Sequence, residues 1–182
     1  MNLPNIITLL RIALVPVFLA FLIQNRYGLA IGVFIVAGLT DAIDGAIARM
    51  MNKKTSLGAL LDPLADKLLV LTAFVALALT GRLPLWLAGA VIARDAAIVA
   101  GWLYLSRFGS RESLRPTALG KLTTFMLIVL IMAALAGLYT GRGPALTEYL
   151  LWPAAMLLAA SGLHYIIRGF RIIHGKKDNL AG

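Results

Sequence analysis

Asp41, Asp44, Asp62 and Asp66 stand inside or at the edge of strongly apolar sequence and account for four of the chain's eight acidic residues. An ionised carboxylate at membrane depth costs about 2.5–3.5 kcal/mol on insertion scales, so four unpaired ones would cost on the order of 10 kcal/mol. Residues kept at that cost hold something positive. The first pair is three residues apart and the second four, so each pair falls on one helix face, about one turn apart. Four carboxylates gathered in one space repel one another unless a cation is present. All-oxygen ligation suits a hard divalent ion, Mg²⁺ or Mn²⁺. Four carboxylates suffice to bridge two such ions, the arrangement that clamps the attacking and leaving oxygens of a phosphoryl displacement.

The string in full is Asp41-x2-Asp44-Gly45-x2-Ala48-Arg49-x8-Gly58-x3-Asp62-x3-Asp66. Its members taken singly have plainer readings. Asp62-Pro63 resembles a helix N-cap followed by proline in the first turn. Gly45 and Gly58 suit close packing of membrane helices, as do Gly28 and Gly32 in a G-x-x-x-G. Arg49 alone is a topology charge, and intramembrane acids as a set also mark ion or proton transporters. Four acids with two glycines, an alanine and an arginine at fixed offsets favour a metal site with room for a bulky substrate beside it.

The elements that must position these residues are membrane helices. The 182 residues are 60% apolar with a mean hydropathy of +0.89, against roughly 45–50% apolar in soluble domains. Apolar stretches approaching the ~20 residues that cross a bilayer predict spans near 5–24, 28–51, 57–80, 84–107, 118–140 and 146–172. Short breaks separate them, with Pro63, Pro84 and Pro144 near helix starts and Pro16 and Pro153 inside spans. The expected fold is all-α: a single polytopic domain over residues 1–182 with six transmembrane helices. Loops on one side hold Arg49, Lys53, Lys54, Arg107, Arg111, Arg115, Arg168, Arg171, Lys176 and Lys177. The other side holds Arg26, Arg82 and Arg142. Ten against three places both termini, and the loop between the aspartate pairs, in the cytoplasm. The net charge of +9 reads as cytoplasmic loops and anionic membrane lipid rather than nucleic acid, since aromatic residues do not interleave with the basic ones. With no cysteine, disulfides and thiol chemistry are excluded. The N-terminus lacks a basic region and a cleavage pattern, so it is expected to enter the first span directly.

The aspartate string resembles, at every defined position, the signature of the CDP-alcohol phosphatidyltransferases. Pro4-Asn5 with Thr8 and Arg11 is similar to that family's N-terminal entry. The resemblance implies transfer of a phosphatidyl group from CDP-diacylglycerol to an alcohol with release of CMP. It implies that Asp41, Asp44 and Asp62 bind metal, and that Asp66 is the general base and also touches the second ion. It further implies that Asn5, Asp41, Gly45, Ala48, Arg49 and Gly58 form the CDP side of the site, and that the protein is a homodimer. No serine, cysteine or histidine lies in the motif as a nucleophile, so a direct displacement is expected rather than a covalent intermediate.

For the acceptor, Arg94, Arg115, Lys121 and Arg168 are the candidate phosphate-binding cations. Arg94 and Asp95 also read as an ion pair, Lys121 as a side chain snorkelling to the interface, and Arg115 and Arg168 as topology charges. Ala37-Gly38-Leu39-Thr40, Asp62 to Lys67, Ile92-Ala93-Arg94-Asp95 and Arg115-Pro116-Thr117 resemble the mitochondrial-type cardiolipin synthases, whose acceptor is phosphatidylglycerol. Phosphatidylglycerophosphate synthases, which use glycerol 3-phosphate, share most of these features but commonly carry Arg-Glu at Arg94-Asp95. Without a mitochondrial presequence, the expected location is a bacterial inner membrane with the site facing the cytoplasm. The phospholipase-D-like H-x-K-x4-D box begins at His174 and Lys176 but has Ala181 where its aspartate belongs, so that mechanism is excluded.

Overall fold

Three of the long apolar runs propagate as helices until a left-handed residue, Asn25, Gly81 or Gly141, follows them. In the computed structural model the backbone is described for residues 3–51, 56–107, 117–141 and 144–178, and the side chains for 10–40, 67–101, 117–141 and 144–169. Among the described residues there are six helices: α1 (Leu3–Ile23), α2 (Tyr27–Met51), α3 (Ser56–Leu79), α4 (Leu85–Arg107), α5 (Ala118–Thr140) and α6 (Ala145–Asp178). The last runs beyond the 172 expected from sequence.

The turns follow from local chemistry. Asn25 (φ 57°) and Gly81 (φ 71°) adopt the left-handed conformation after α1 and α3. Their following residues donate back into the last turn, Arg26 N–H to the Phe21 carbonyl at 2.9 Å and Arg82 N–H to the Leu77 carbonyl at 2.8 Å. Both are Schellman-type closures that satisfy end carbonyls. Pro84 and Pro144 directly precede α4 and α6, as expected. Thr117 caps α5, its hydroxyl accepting from the Gly120 N–H, and Gly141 (φ 65°) ends it. One local reading is corrected: α3 begins at Ser56, so Asp62 and Pro63 stand within a helix rather than at its start.

α1 packs on α2 and α3, α2 and α3 both pack on α5, and α4 bridges α3 to α6, which pairs with α5. The core contains Phe18, Phe74, Leu77, Leu87, Leu130, Ile131 and Leu135, all without solvent exposure, and the Phe18 and Phe34 rings lie 5.9 Å apart. Of the expected G-x-x-x-G pair, Gly28 is a close approach. A Cβ there would lie 2.9 Å from the Tyr139 ring on α5, whereas Gly32 faces open space. By length and composition, two helical stretches among the described residues can cross a membrane unaided, Ala118–Thr140 and Ala145–Gly169. Leu10–Ile23, Tyr27–Thr40 and Lys67–Leu79 are shorter apolar stretches.

Candidate active site

The helices that carry the aspartates, α2 and α3, are bridged by α1 and α5, and a cavity of about 370 Å³ lies between them. Its apolar walls include Phe34, Ala37, Leu69, Val70, Val91 and Leu127; its polar lining is Arg11, Lys67, Arg94, Asp95 and Thr124. On α2, Asp41 and Asp44 share the helical register of Phe34 and Ala37; on α3, Asp62 and Asp66 share that of Leu69 and Val70. The side chains of the four aspartates lie outside the described residues. Their register continues the two cavity-lining faces toward the α2 C-terminus and the α3 N-terminus.

The polar lining is organised around Asp95. Its Oδ1 accepts from Arg94 Nη1 at 2.7 Å and pairs with Lys67 Nζ at 3.0 Å, tying α4 to α3. The Arg94 side chain is only 8% exposed. Its Nη2 donates to Ser161 Oγ on α6 at 3.1 Å and, at the long end, to the Gly120 carbonyl on α5 at 3.4 Å. The guanidinium also lies 5.8 Å from the centre of the Tyr165 ring, within cation–π range. Its Nε is buried with no hydrogen-bond partner among the described residues. Arg11, 3% exposed on α1, also lines the cavity.

The sequence-derived acceptor set divides here. Arg94 lines the cavity but is engaged by Asp95, Ser161 and Gly120. Lys121 is exposed at the start of α5, one turn before Thr124, which lines the cavity. Arg168 is half-buried on α6, in register with Ser161 and Tyr165. Arg115 lies outside the described residues, as do the side chains of Asn5, Gly45, Ala48, Arg49 and Gly58 on α1, α2 and α3. Among the described side chains no group of three His, Asp or Glu residues comes together, so the metal reading rests on the aspartate string. The donor chemistry of the string fits a hard divalent ion: four carboxylates, two on each of two helices that line one cavity.

Residues 1–160 match the sequence model of one family over most of the chain. The chain belongs to the CDP-alcohol phosphatidyltransferase family. Members of this family transfer phosphatidyl groups and are generally dependent on divalent metal. The chain is similar to a Homo sapiens protein named cardiolipin synthase (CMP-forming), at 32% identity over 97% of this chain and 64% of that protein. It therefore spans less than two thirds of that relative's length. It is 33% identical to the Bacillus subtilis CDP-diacylglycerol–glycerol-3-phosphate 3-phosphatidyltransferase, over 94% of this chain and 97% of that protein. A probable phosphatidylglycerophosphate synthase of Mycobacterium tuberculosis is 35% identical over 96% of this chain and 84% of that protein.

In this member of the family, sequence reasoning left Arg11, Lys67 and Asp95 out of the candidate site, and the structure gathers all three at the cavity. Lys67 was visible as the residue after Asp66, and Arg11 as a charge inside an otherwise apolar span. Tyr165 gave no signal: an aromatic residue in a membrane helix is ordinarily packing.

Proposed function

We propose that this protein is an integral membrane enzyme that transfers a phosphatidyl group from CDP-diacylglycerol to a glycerol-type alcohol and releases CMP. The observation that carries the reading is the aspartate string, set by register on two helices that line one cavity, in a chain of this family. In this reading six helices span the membrane, both termini are cytoplasmic, and the site opens at the cytoplasmic face of an inner membrane. The helix ends that carry the aspartates then meet the water-soluble cytidine nucleotide, while the cavity runs toward the lipid. A homodimer is part of the same proposal.

Asp41, Asp44, Asp62 and Asp66 hold the metal. Mg²⁺ or Mn²⁺, two ions in the fullest occupancy, would neutralise charge on the pyrophosphate as it is displaced. Asn5, Gly45, Ala48, Arg49 and Gly58 form the CDP side, where small residues leave room for the nucleotide and Arg49 meets phosphate. Asp66 accepts the proton of the acceptor hydroxyl. The hydroxyl oxygen bonds to the phosphorus that carries diacylglycerol, and the bond from that phosphorus to the CMP oxygen breaks. Arg94, Arg115, Lys121 and Arg168 are the cations assigned to the acceptor phosphate, with Arg94 acting from within its own hydrogen-bonded frame.

Phosphatidylglycerol is the acceptor favoured by the sequence around Asp62 to Lys67 and Arg94-Asp95, which makes the product cardiolipin. Glycerol 3-phosphate is the second reading, favoured by the Bacillus subtilis relative, which matches over 97% of its own length. The deciding experiment incubates purified protein with CDP-diacylglycerol and, separately, phosphatidylglycerol, glycerol 3-phosphate, serine or inositol phosphate. CMP release is expected with one of the first two, dependent on Mg²⁺ or Mn²⁺. No CMP with any acceptor would reject the enzyme reading.

A further inference from the structure

The first turn of α5 is held from α6 in a way that metal and nucleotide binding do not require. The Thr117 N–H donates to the Tyr165 hydroxyl at 3.3 Å. The Thr117 hydroxyl in turn accepts from the Gly120 N–H at 3.1 Å, closing the N-terminal cap. A Cβ added to Gly120 would lie 2.8 Å from the Tyr165 oxygen and 3.3 Å from the ring. Gly120 is therefore the residue that lets Tyr165 reach the cap. Arg94 approaches the Tyr165 ring and the Gly120 carbonyl together. Residues from α4, α5 and α6 thus converge on one turn of one helix. The next residue is Lys121, exposed and in register with Thr124 and Ile128, which line the cavity.

We propose that Tyr165 is a positioning residue for the acceptor: through Thr117 and Gly120 it fixes the α5 cap so that Lys121 meets an acceptor phosphate at the cavity mouth. This rests on the functional reading above, in which Lys121 is an acceptor cation. Among the described residues Tyr165 reaches Thr117, Gly120 and Arg94. Its effect falls on acceptor affinity and not on the chemical step or on CDP-lipid binding.

Steady-state kinetics of the purified full chain test this. Tyr165→Phe keeps the ring under Arg94 and removes the oxygen that accepts from Thr117. It is expected to raise acceptor KM about 3–10-fold, with kcat and the KM for CDP-diacylglycerol changed less than about twofold. Inorganic phosphate, tested as an inhibitor competitive with acceptor, is expected to weaken in the same proportion. Gly120→Ala is expected to raise acceptor KM as well. In the double variant the loss is expected to be smaller than the product of the two, because the hydroxyl that the new methyl meets has gone. Equal rises in both substrate KM values, or an unchanged acceptor KM in both single variants beside an active wild type, would overturn the positioning role alone. A wild type that releases no CMP with any acceptor would overturn the functional reading, and the positioning role with it.

Discussion

Lys67 on α3 and Arg94 on α4 share a single carboxylate oxygen of Asp95, at 3.0 and 2.7 Å. Asp95 thereby holds the residue that follows Asp66 and the arginine that reaches α5 and α6. Removing its charge leaves a largely buried guanidinium short of its counter-ion, and charged hydrogen bonds of this kind contribute about 1.5–3 kcal/mol. Asp95→Asn is expected to lower the apparent Tm in detergent by roughly 3–12 °C, at about 2–4 °C per kcal/mol for a chain of this size. Lys67→Ala is expected to cost less, since its side chain is 35% exposed and partly solvated pairs are weak. Differential scanning fluorimetry of the two variants and their double measures the coupling.

The acceptor cations should divide by mechanism. Lys121→Ala, Arg115→Ala and Arg168→Ala are expected to raise acceptor KM several-fold, with CDP-diacylglycerol KM kept. Arg94→Ala should lower Tm as well, because Arg94 ties α4 to Ser161 and Gly120. Paired kinetics and melting curves separate the classes. Unchanged acceptor kinetics in all four variants would remove the phosphate-binding assignment.

Asp66→Asn keeps the side-chain size and removes the base. It is expected to cut kcat by about 10²–10⁴-fold, the usual contribution of general base catalysis, while CDP-diacylglycerol still binds. Asp41→Asn and chelation by EDTA are both expected to abolish turnover. Added Mg²⁺ or Mn²⁺ should restore only the chelated wild type. Calorimetric titration with CDP-diacylglycerol and an initial-rate CMP assay together distinguish lost binding from lost chemistry.

Gly28 and Gly32 provide a contrast on one helix. A methyl added at Gly32 would meet nothing within 4 Å, so Gly32→Ala is expected to be neutral or to stabilise by up to about 1 kcal/mol through helix propensity. At Gly28 the methyl meets the Tyr139 ring at 2.9 Å, which is expected to cancel that gain or reverse it. Gly28→Ala with Tyr139→Ala should recover it. Apparent Tm values of the wild type, the two glycine variants and the double variant check the pair.

Phe74, fully buried between helices, tests what holds the bundle. In a soluble core Phe→Ala costs about 3–5 kcal/mol. Inside a bilayer the reference environment is itself apolar, so packing loss remains and much of the transfer gain does not. Phe74→Ala is therefore expected to cost about 2–3 kcal/mol, read by unfolding in mixed micelles.

The sequence by itself determined the six helices and nearly all their ends, because apolar periodicity, left-handed Asn25 and glycines, and helix-starting prolines act within a few residues. It also determined the family, since the aspartate string is a set of offsets along two local helices. The span expected near 57–80 is α3, Ser56–Leu79, and only the plainer reading of Asp62-Pro63 as an N-cap fails, because that pair lies within the helix. Tertiary structure alone decided which cations share the cavity. Arg11, Lys67 and Arg94 come from three helices far apart in the chain, and charge type does not reveal which helix faces will meet. It also decided that Arg94 is held by Asp95, Ser161 and Gly120 while Lys121 stands exposed, and that Tyr165 reaches the α5 cap over a residue without a Cβ. Contacts between distant segments depend on crossing geometry and side-chain volume, which no local spacing encodes.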